Sequence, residues 1–225
     1  MISLQLQLFG GRGAKSILGI KRMLSDFENT GVGKGVAVEI DADKFDSLEK
    51  WEKEILSREY ETLIAFDKTG KPVKAYKGNS RSVSFPESEA YKWKGYTVTH
   101  NHPDTYGGTF SFADMRNVCK YEYGQHRAVA IEGTYIIKTT KKSDFIKLRN
   151  TIATNMRGLE TKMNEINKEE QLKYLNTPKE NRMSLKSFNT IVRQKYCGVL
   201  HRFYKKICNE CGFVYTVKPK KKYTK

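Results

Sequence analysis

The chain of 225 residues is 38% hydrophobic and 12% aromatic, which is enough apolar material for a packed core and excludes wholesale disorder. Its formal net charge is +16, and no run of residues approaches the roughly 20 apolar positions of a membrane-spanning helix. The first residues lack the basic and apolar regions of a secretory signal, and four cysteines without such a signal are typical of a reducing compartment. We therefore expect a cytoplasmic protein with no membrane contact.

The positive charge is concentrated between residues 176 and 225, where 13 basic side chains are present against 2 acidic ones. Such a segment attracts polyanions because binding releases their counterions. We predict contact with nucleic acid or an acidic partner through the lysines nearest position 220, which are Lys218, Lys220, Lys221 and Lys222. The alternative is a tail that only keeps the protein soluble.

Glycines are frequent in residues 1–35, which we interpret as a flexible leader. Apolar residues at helical spacing then predict a helix within residues 43–56. Residues 61–66 and 72–76 predict a β-hairpin around the turn at Asp67 to Gly70, and residues 80–85 alternate as a third strand would.

The remaining elements alternate between strands and helices. Strands are predicted at residues 96–100, 127–132 and 134–140, and helices at 111–121, 143–175 and 184–206. This order predicts one α/β domain over residues 36–142, with a mixed β-sheet flanked by helices. Residues 143–225 are predicted to form a helical, strongly basic C-terminal extension.

The stretch THNHPDTYGGTFSFAD contains the strongest chemical signal in the chain. In a strand, residues two apart lie on one face, so His100 and His102 project together as two nitrogen ligands suited to zinc. A glycine-containing loop can return Asp114 to them as a third ligand. Ser111-x-x-Asp114 is also a capping box in form, and a helix cap is the alternative interpretation of that pair.

THNHP, a glycine-containing loop and FSxxD together resemble the JAMM (MPN-positive, JAB-type) zinc metalloprotease family, especially its phage and bacterial RadC-like branch. The resemblance spans roughly residues 61–114. It implies a cytidine-deaminase-like architecture and zinc bound by His100, His102 and Asp114. Ser111 would support the oxyanion, and Glu61 would act as general base, with Glu59 as the alternative.

The same resemblance implies hydrolysis of a peptide or isopeptide bond in a protein or peptide substrate. One departure from the family is that eight residues separate His102 from Ser111, where seven is the commonest spacing. A non-catalytic binding protein on the same fold, acting through its basic C-terminal region on nucleic acid or on a host or virion protein, is therefore the alternative function.

Further residues and patterns support separate expectations. Cysteine and histidine residues near the C-terminus supply four nitrogen and sulfur atoms for a second, structural zinc: Cys197, His201, Cys208 and Cys211. The alternative is buried thiols and a surface histidine. His126 has no evident partner in the sequence and is predicted to lie on the surface, whereas Cys119 is predicted in the core.

The string LQLFGGRG resembles a segment of phage head-associated proteins and suggests a phage or prophage origin with virion association.

Overall fold

A computed structural model describes residues 38–42, 47–80, 82–103 and 108–220 of the chain. The leader predicted for residues 1–35 lies outside these ranges, as do Lys221 and Lys222. Within them, no helix combines the length and the apolar character that crossing a lipid bilayer requires.

The strands of the described chain form one sheet. They are β1 Val38–Ile40, β2 Thr62–Phe66, β3 Pro72–Lys77, β4 Thr97–Asn101, β5 Gln125–Val129, β6 Gly133–Lys138 and β7 Val214–Pro219. Their order is β1-β3-β2-β4-β5-β6-β7. Strands β4 and β5 run parallel, and the other neighbouring pairs are antiparallel. The predicted α/β class with a mixed sheet is therefore confirmed.

Five helices accompany the sheet in the described residues: α1 Leu48–Ile55, α2 Glu87–Ala90, α3 Phe112–Tyr121, α4 Phe145–Asn176 and α5 Leu185–Glu210. All except α2 begin after a side chain that accepts a hydrogen bond from a first-turn amide, which satisfies a donor that the helix itself leaves unpaired. Helix α4 ends where Pro178 follows Thr177, as the sequence predicts.

The hairpin of β2 and β3 forms as predicted because its turn residues suit their positions. The Asp67 Oδ1 atom accepts hydrogen bonds from the amides of Thr69 and Lys71 at 2.8 and 3.0 Å, and Gly70 adopts φ 86°. The third strand predicted at residues 80–85 is wrong. Ser82 and Asn79 instead bond to each other and turn the chain.

The two faces of the sheet pack against different helices. On one face, Trp51 and Ile55 of α1 pack against Ile64 and Phe66 of β2. The other face carries the larger core, to which α3, α4 and α5 contribute their apolar sides. His100 lies on this second face, because it pairs with Leu63 and Ala128, which also belong to the larger core.

The segment after residue 142 shares this sheet and this core. Strand β7, which the sequence pattern does not predict, pairs along the whole of β6. Leu148 and Ile152 of α4 are fully buried, as are Val192 and Tyr204 of α5. The two predicted helices are present, and their apolar faces cover the same side of the sheet that carries His100.

Candidate metal centre

His100 and His102 lie at the point where β4 ends. His100 is the fourth residue of the strand, and the amide of His102 continues the pairing by donating to the Val129 carbonyl at 2.9 Å. After the loop, the chain re-enters at Ser111, the N-cap of α3, so that Asp114 on the first turn of this helix faces the histidines.

The ligand atoms of three side chains converge there. The Nε2 atoms of His100 and His102 are 3.0 Å apart. Asp114 Oδ1 lies 3.3 Å from the His100 Nε2 atom, and Asp114 Oδ2 lies 3.5 Å from the His102 Nε2 atom. Ligands about 2.1 Å from one tetrahedral zinc ion lie about 3.4 Å from each other. The separations observed are close to that value, with the two carboxylate distances ending on different oxygens, so these three side chains could hold a metal ion.

The carboxylate of Asp114 serves the helix and the cluster at once. Its Oδ2 atom accepts hydrogen bonds from the Ser111 amide at 2.7 Å and from the Ser111 hydroxyl at 2.8 Å. The Ser111 hydroxyl in turn accepts from the Asp114 amide at 3.1 Å, which completes a capping box. Oδ1 takes no part in the cap and is directed at His100. The cap and the ligand interpretations of this motif are therefore compatible.

His126 is a fourth member of the cluster, and the prediction that it lies on the surface is wrong. It is buried on β5, its ring stacks on that of His100 with centroids 5.0 Å apart, and its Nε2 atom is 4.0 Å from Asp114 Oδ1. Neither of its ring nitrogens has a hydrogen-bond partner among the described residues. The buried group of His100, Asp114 and His126 could hold a metal ion.

Two sets of three side chains could hold a metal ion, and they differ in whether His102 or His126 joins His100 and Asp114. The Nε2 atom of His102 lies 3.5 Å from an Asp114 oxygen and that of His126 lies 4.0 Å from one, so the separation through His102 is nearer to the tetrahedral value. His126 is held within a strand, by contrast, and its orphaned nitrogens would be satisfied by an ion or another polar partner. A signal for it was present in the sequence: a strand-helix-strand unit places the second strand beside the first, which brings His126 next to His100.

Glu61 lies directly before β2 and, by the register in which Leu63 pairs with His100, opposite His102. Its backbone is fixed by a hydrogen bond from its amide to the Asn79 carbonyl at 2.7 Å. Burial raises the pKa of Glu61, and the charge of Asp114 adds to this rise, while His102 and His100 oppose it. Glu59 is exposed to solvent. Of the two acids considered as general base, Glu61 is thus the one coupled to the cluster.

Burial and the neighbouring charged groups shift the pKa values of the carboxylate and of two of the histidines in the cluster. Burial acts to raise the pKa of Asp114, but His100 and the other histidines hold that pKa well below its ordinary value. Burial acts to lower the pKa of His102, but Asp114 and Glu61 raise it overall. Burial lowers the pKa of His126 to about 4, so this ring is neutral at pH 7. Asp114 is ionised at neutral pH, as a metal ligand has to be.

The four residues predicted to hold a second zinc do not converge. The ring of His201 bonds through Nδ1 to the Tyr215 hydroxyl at 3.0 Å. In the described part of the chain, no group of three metal-ligating atoms within 4.8 Å of one another includes these residues. Burial raises the pKa of Cys197 to about 11 and that of Cys208 to about 12, so both are neutral thiols; Cys211 is buried too. The predicted core position of Cys119 is confirmed.

The lysines predicted to bind polyanions have different environments. Lys218 is exposed on β7. The Nζ atom of Lys220 donates to the Ala130 carbonyl at 2.7 Å, and burial lowers its pKa. Lys220 is therefore already used in a contact within the fold.

No protein-family model matches the chain, and no curated protein or solved structure is significantly similar to it. The resemblance to JAMM enzymes consequently depends on the motif residues and their spacing.

Proposed function

We propose that the chain is a zinc-dependent amide hydrolase of JAMM type that cleaves a peptide or isopeptide bond in a protein substrate. The observation that supports this proposal is the convergence of two imidazole nitrogens and one carboxylate within 3.0–3.5 Å of one another, beside the partly buried Glu61. His100, His102 and Asp114 would hold the zinc ion. When bound, zinc would act as a Lewis acid and lower the pKa of bound water towards about 7.

Glu61 is the proposed general base and later general acid. Because burial and Asp114 raise its pKa, this carboxyl group can accept a proton from the attacking water more readily than an exposed glutamate can. The same group then gives the proton to the leaving amine as the carbon–nitrogen bond breaks. The reaction therefore returns Glu61 to its starting ionisation state.

Ser111 is the proposed donor to the developing oxyanion. Its hydroxyl proton is directed at Asp114 Oδ2 at 2.8 Å, so this role requires the hydroxyl group to rotate away from the cap. The Ser111 amide continues to hold the carboxylate while the hydroxyl turns.

Access to the cluster comes from the His102 side. The side chains of His102 and Asp114 are each 15% exposed, whereas that of His100 is 3% exposed. A substrate carbonyl can therefore reach the cluster past His102 and Asp114. His100 and His126 lie on the buried side of the cluster.

Elemental analysis and a cleavage assay test this function together. Purified protein is expected to carry about one zinc per chain and to cleave at least one member of a panel of fluorogenic peptides and lysine isopeptides. The double variant His100→Ala/His102→Ala is expected to lose both properties, whereas His201→Ala, which changes a histidine outside the cluster, keeps its zinc. Equal zinc in the wild type and the double variant would refute the proposal.

A second function, nucleic-acid binding, is favoured by one surface. An open groove between α4 and α5 has three basic side chains, Lys162, Lys195 and Arg202, in a lining that also includes the apolar residues Ile166, Ile191 and Val199. Glu170 bonds to Lys195 at 2.8 Å and offsets part of this charge. Salt-dependent retention of DNA, reduced in a Lys162→Glu/Arg202→Glu variant, would support this function, and retention that salt does not change would exclude it.

A further inference from the structure

The segment that leads into the Ser111 cap is held by polar side chains from the turn between β5 and β6 and from β7. The Glu132 carboxylate, in the turn between β5 and β6, accepts a hydrogen bond from the Gly108 amide at 2.8 Å. The Tyr135 hydroxyl donates to the same Oε1 atom at 2.9 Å. The next residue of the segment, Thr109, bonds through its hydroxyl to that of Tyr215 at 2.8 Å.

The first of these contacts extends directly to His102. The Gly108 carbonyl lies 3.3 Å from the Nδ1 atom of His102. A carbonyl oxygen only accepts hydrogen bonds, so Nδ1 must carry the proton. The Nε2 atom of a neutral His102 ring then carries a lone pair, which can accept from His100 Nε2, and this is the atom that faces His100 and Asp114.

Gly108 lies close to the ring because it has no side chain. A Cβ atom at this position would lie 3.1 Å from the His102 Nδ1 atom, which is tighter than ordinary van der Waals contact. The peptide of residue 108 can therefore lie against the imidazole with its amide directed at Glu132 and its carbonyl at the ring.

His100 and His102 differ in what fixes their rings. His100 lies within β4, its side chain is almost completely buried, and its Nδ1 atom has no hydrogen-bond partner among the described residues. His102 lies past the end of the strand and is more exposed, so packing constrains it less. Its ring orientation depends more on the bond to Gly108, and through Gly108 on Glu132.

We propose that Glu132 is a positioning residue that sets the tautomer and direction of His102 through the Gly108 peptide, and that metal affinity at this centre depends on it. The inference rests on the proposed metal centre and adds a residue to it. Partners that orient a ligating histidine typically change metal affinity by roughly 10- to 100-fold when they are lost.

The test compares Glu132→Ala, Glu132→Gln and Glu132→Asp with the wild type, using chelator competition to measure zinc affinity. Glu132→Gln keeps an oxygen that can accept from Gly108 and is expected to bind zinc nearly as tightly as the wild type. Glu132→Ala removes the acceptor, and Glu132→Asp withdraws it by one methylene group; both are expected to weaken zinc binding by roughly 10- to 100-fold. Glu49→Ala, at an exposed position on α1, is the matched control and should change nothing.

A second readout separates positioning from a general loss of structure. Long-range ¹H–¹⁵N NMR of the metal-free proteins reports which nitrogen of His102 carries the proton, with assignment by comparison to His102→Ala. The wild type and Glu132→Gln should show the Nδ1–H form, while Glu132→Asp should show a mixture of tautomers.

The outcomes are distinguishable from those for the function itself. If the wild type binds zinc through His100 and His102, but Glu132→Ala and Glu132→Asp bind it within twofold of the wild type, the inference about Glu132 is wrong and the metal centre stands. If the wild type binds no zinc, the metal centre fails, and an unchanged His102 tautomer in Glu132→Asp would then overturn the positioning role as well.

Discussion

Ser111 and Asp114 are joined by three hydrogen bonds, and two of them end on a single carboxylate oxygen, Asp114 Oδ2. Because the cap uses Oδ2, the other carboxylate oxygen, Oδ1, is directed at His100, 3.3 Å away. The start of α3 therefore determines where the acidic ligand points. Changes to the cap and changes to the ligand are expected to have different consequences.

Asp114→Asn should separate the two roles of this side chain. The amide oxygen of asparagine can still accept from Ser111, so the change in the cap should cost about 1 kcal/mol or less of the free energy of unfolding of the metal-free protein. Loss of the charged carboxylate that His100 and the other histidines stabilise adds to this cost. Metal affinity should fall further than the roughly 10- to 100-fold typical of outer-shell changes, because a charged ligand is lost. Chemical denaturation and chelator competition measure the two effects. Equal zinc content in both proteins would show that Asp114 is only a cap.

Ser111→Ala should affect both stability and rate. Loss of the N-cap hydroxyl is expected to cost about 1 kcal/mol of unfolding free energy. Loss of an oxyanion donor should lower the cleavage rate by about 100- to 1,000-fold. Ser184→Ala is the matched control, because the Ser184 hydroxyl accepts from the Ser187 amide at the start of α5 at the same 3.1 Å distance. A rate for Ser111→Ala no lower than that of Ser184→Ala would remove Ser111 from the mechanism.

Glu61→Gln should abolish catalysis without removing the metal. The amide cannot take a proton from water, so we expect the cleavage rate to fall by about 100- to 10,000-fold at unchanged zinc content. Glu59→Gln, two residues earlier and exposed, should cleave at the wild-type rate. If Glu59→Gln were the slow variant and Glu61→Gln the normal one, the assignment of the base would be reversed.

His126 should make the metal-free protein sensitive to mild acid. Its pKa is lowered to about 4 by burial, with a further contribution from the neighbouring histidines, against an ordinary value of 6.5. Between pH 6.5 and 4 the unfolded chain binds a proton that the folded chain does not bind. The contribution of His126 to the free energy of unfolding should therefore fall by up to about 3 kcal/mol as the pH drops through this window.

His126→Phe lacks this titration and can stack on Phe110 and Tyr123 as the histidine does. Urea unfolding at pH 7.5 and pH 4.5 should show the variant gaining stability relative to the wild type at the lower pH. Parallel loss of stability in the two proteins would contradict the burial of a neutral ring at position 126.

The sequence was sufficient for the elements whose signals are local. The hairpin at Asp67 to Gly70, the cap at Ser111 and the helix break at Pro178 each depend on residues within a few positions of one another. Strand β7 was missed because Val214 to Pro219 carries little apolar alternation and is defined by pairing with a distant strand. The third strand predicted near Val83 failed for the converse reason, since alternation without a partner does not make a strand.

The same distinction applies to the candidate site. His100, His102, Ser111 and Asp114 belong to one motif and could be named together from their spacing. The strand-helix-strand order predicts β5 beside β4, but the registers that bring His126 near His100 and Glu132 near Gly108 are not specified by single-sequence patterns. The basic residues near position 220 were recognised as a charge excess, but the contact of Lys220 with Ala130 depends on where β7 lies.

The pairing of β6 with β7 also has a consequence for synthesis on the ribosome. Lys138 pairs with Val214, and the whole of α4 and α5 lies between them in the chain. The outer edge of β6 is therefore exposed until β7 has left the exit tunnel, several seconds after β6 at typical elongation rates. Nascent chains that stall between these strands present an unpaired edge carrying Tyr135, Ile136 and Ile137, and such chains should depend on chaperones more than the completed protein does.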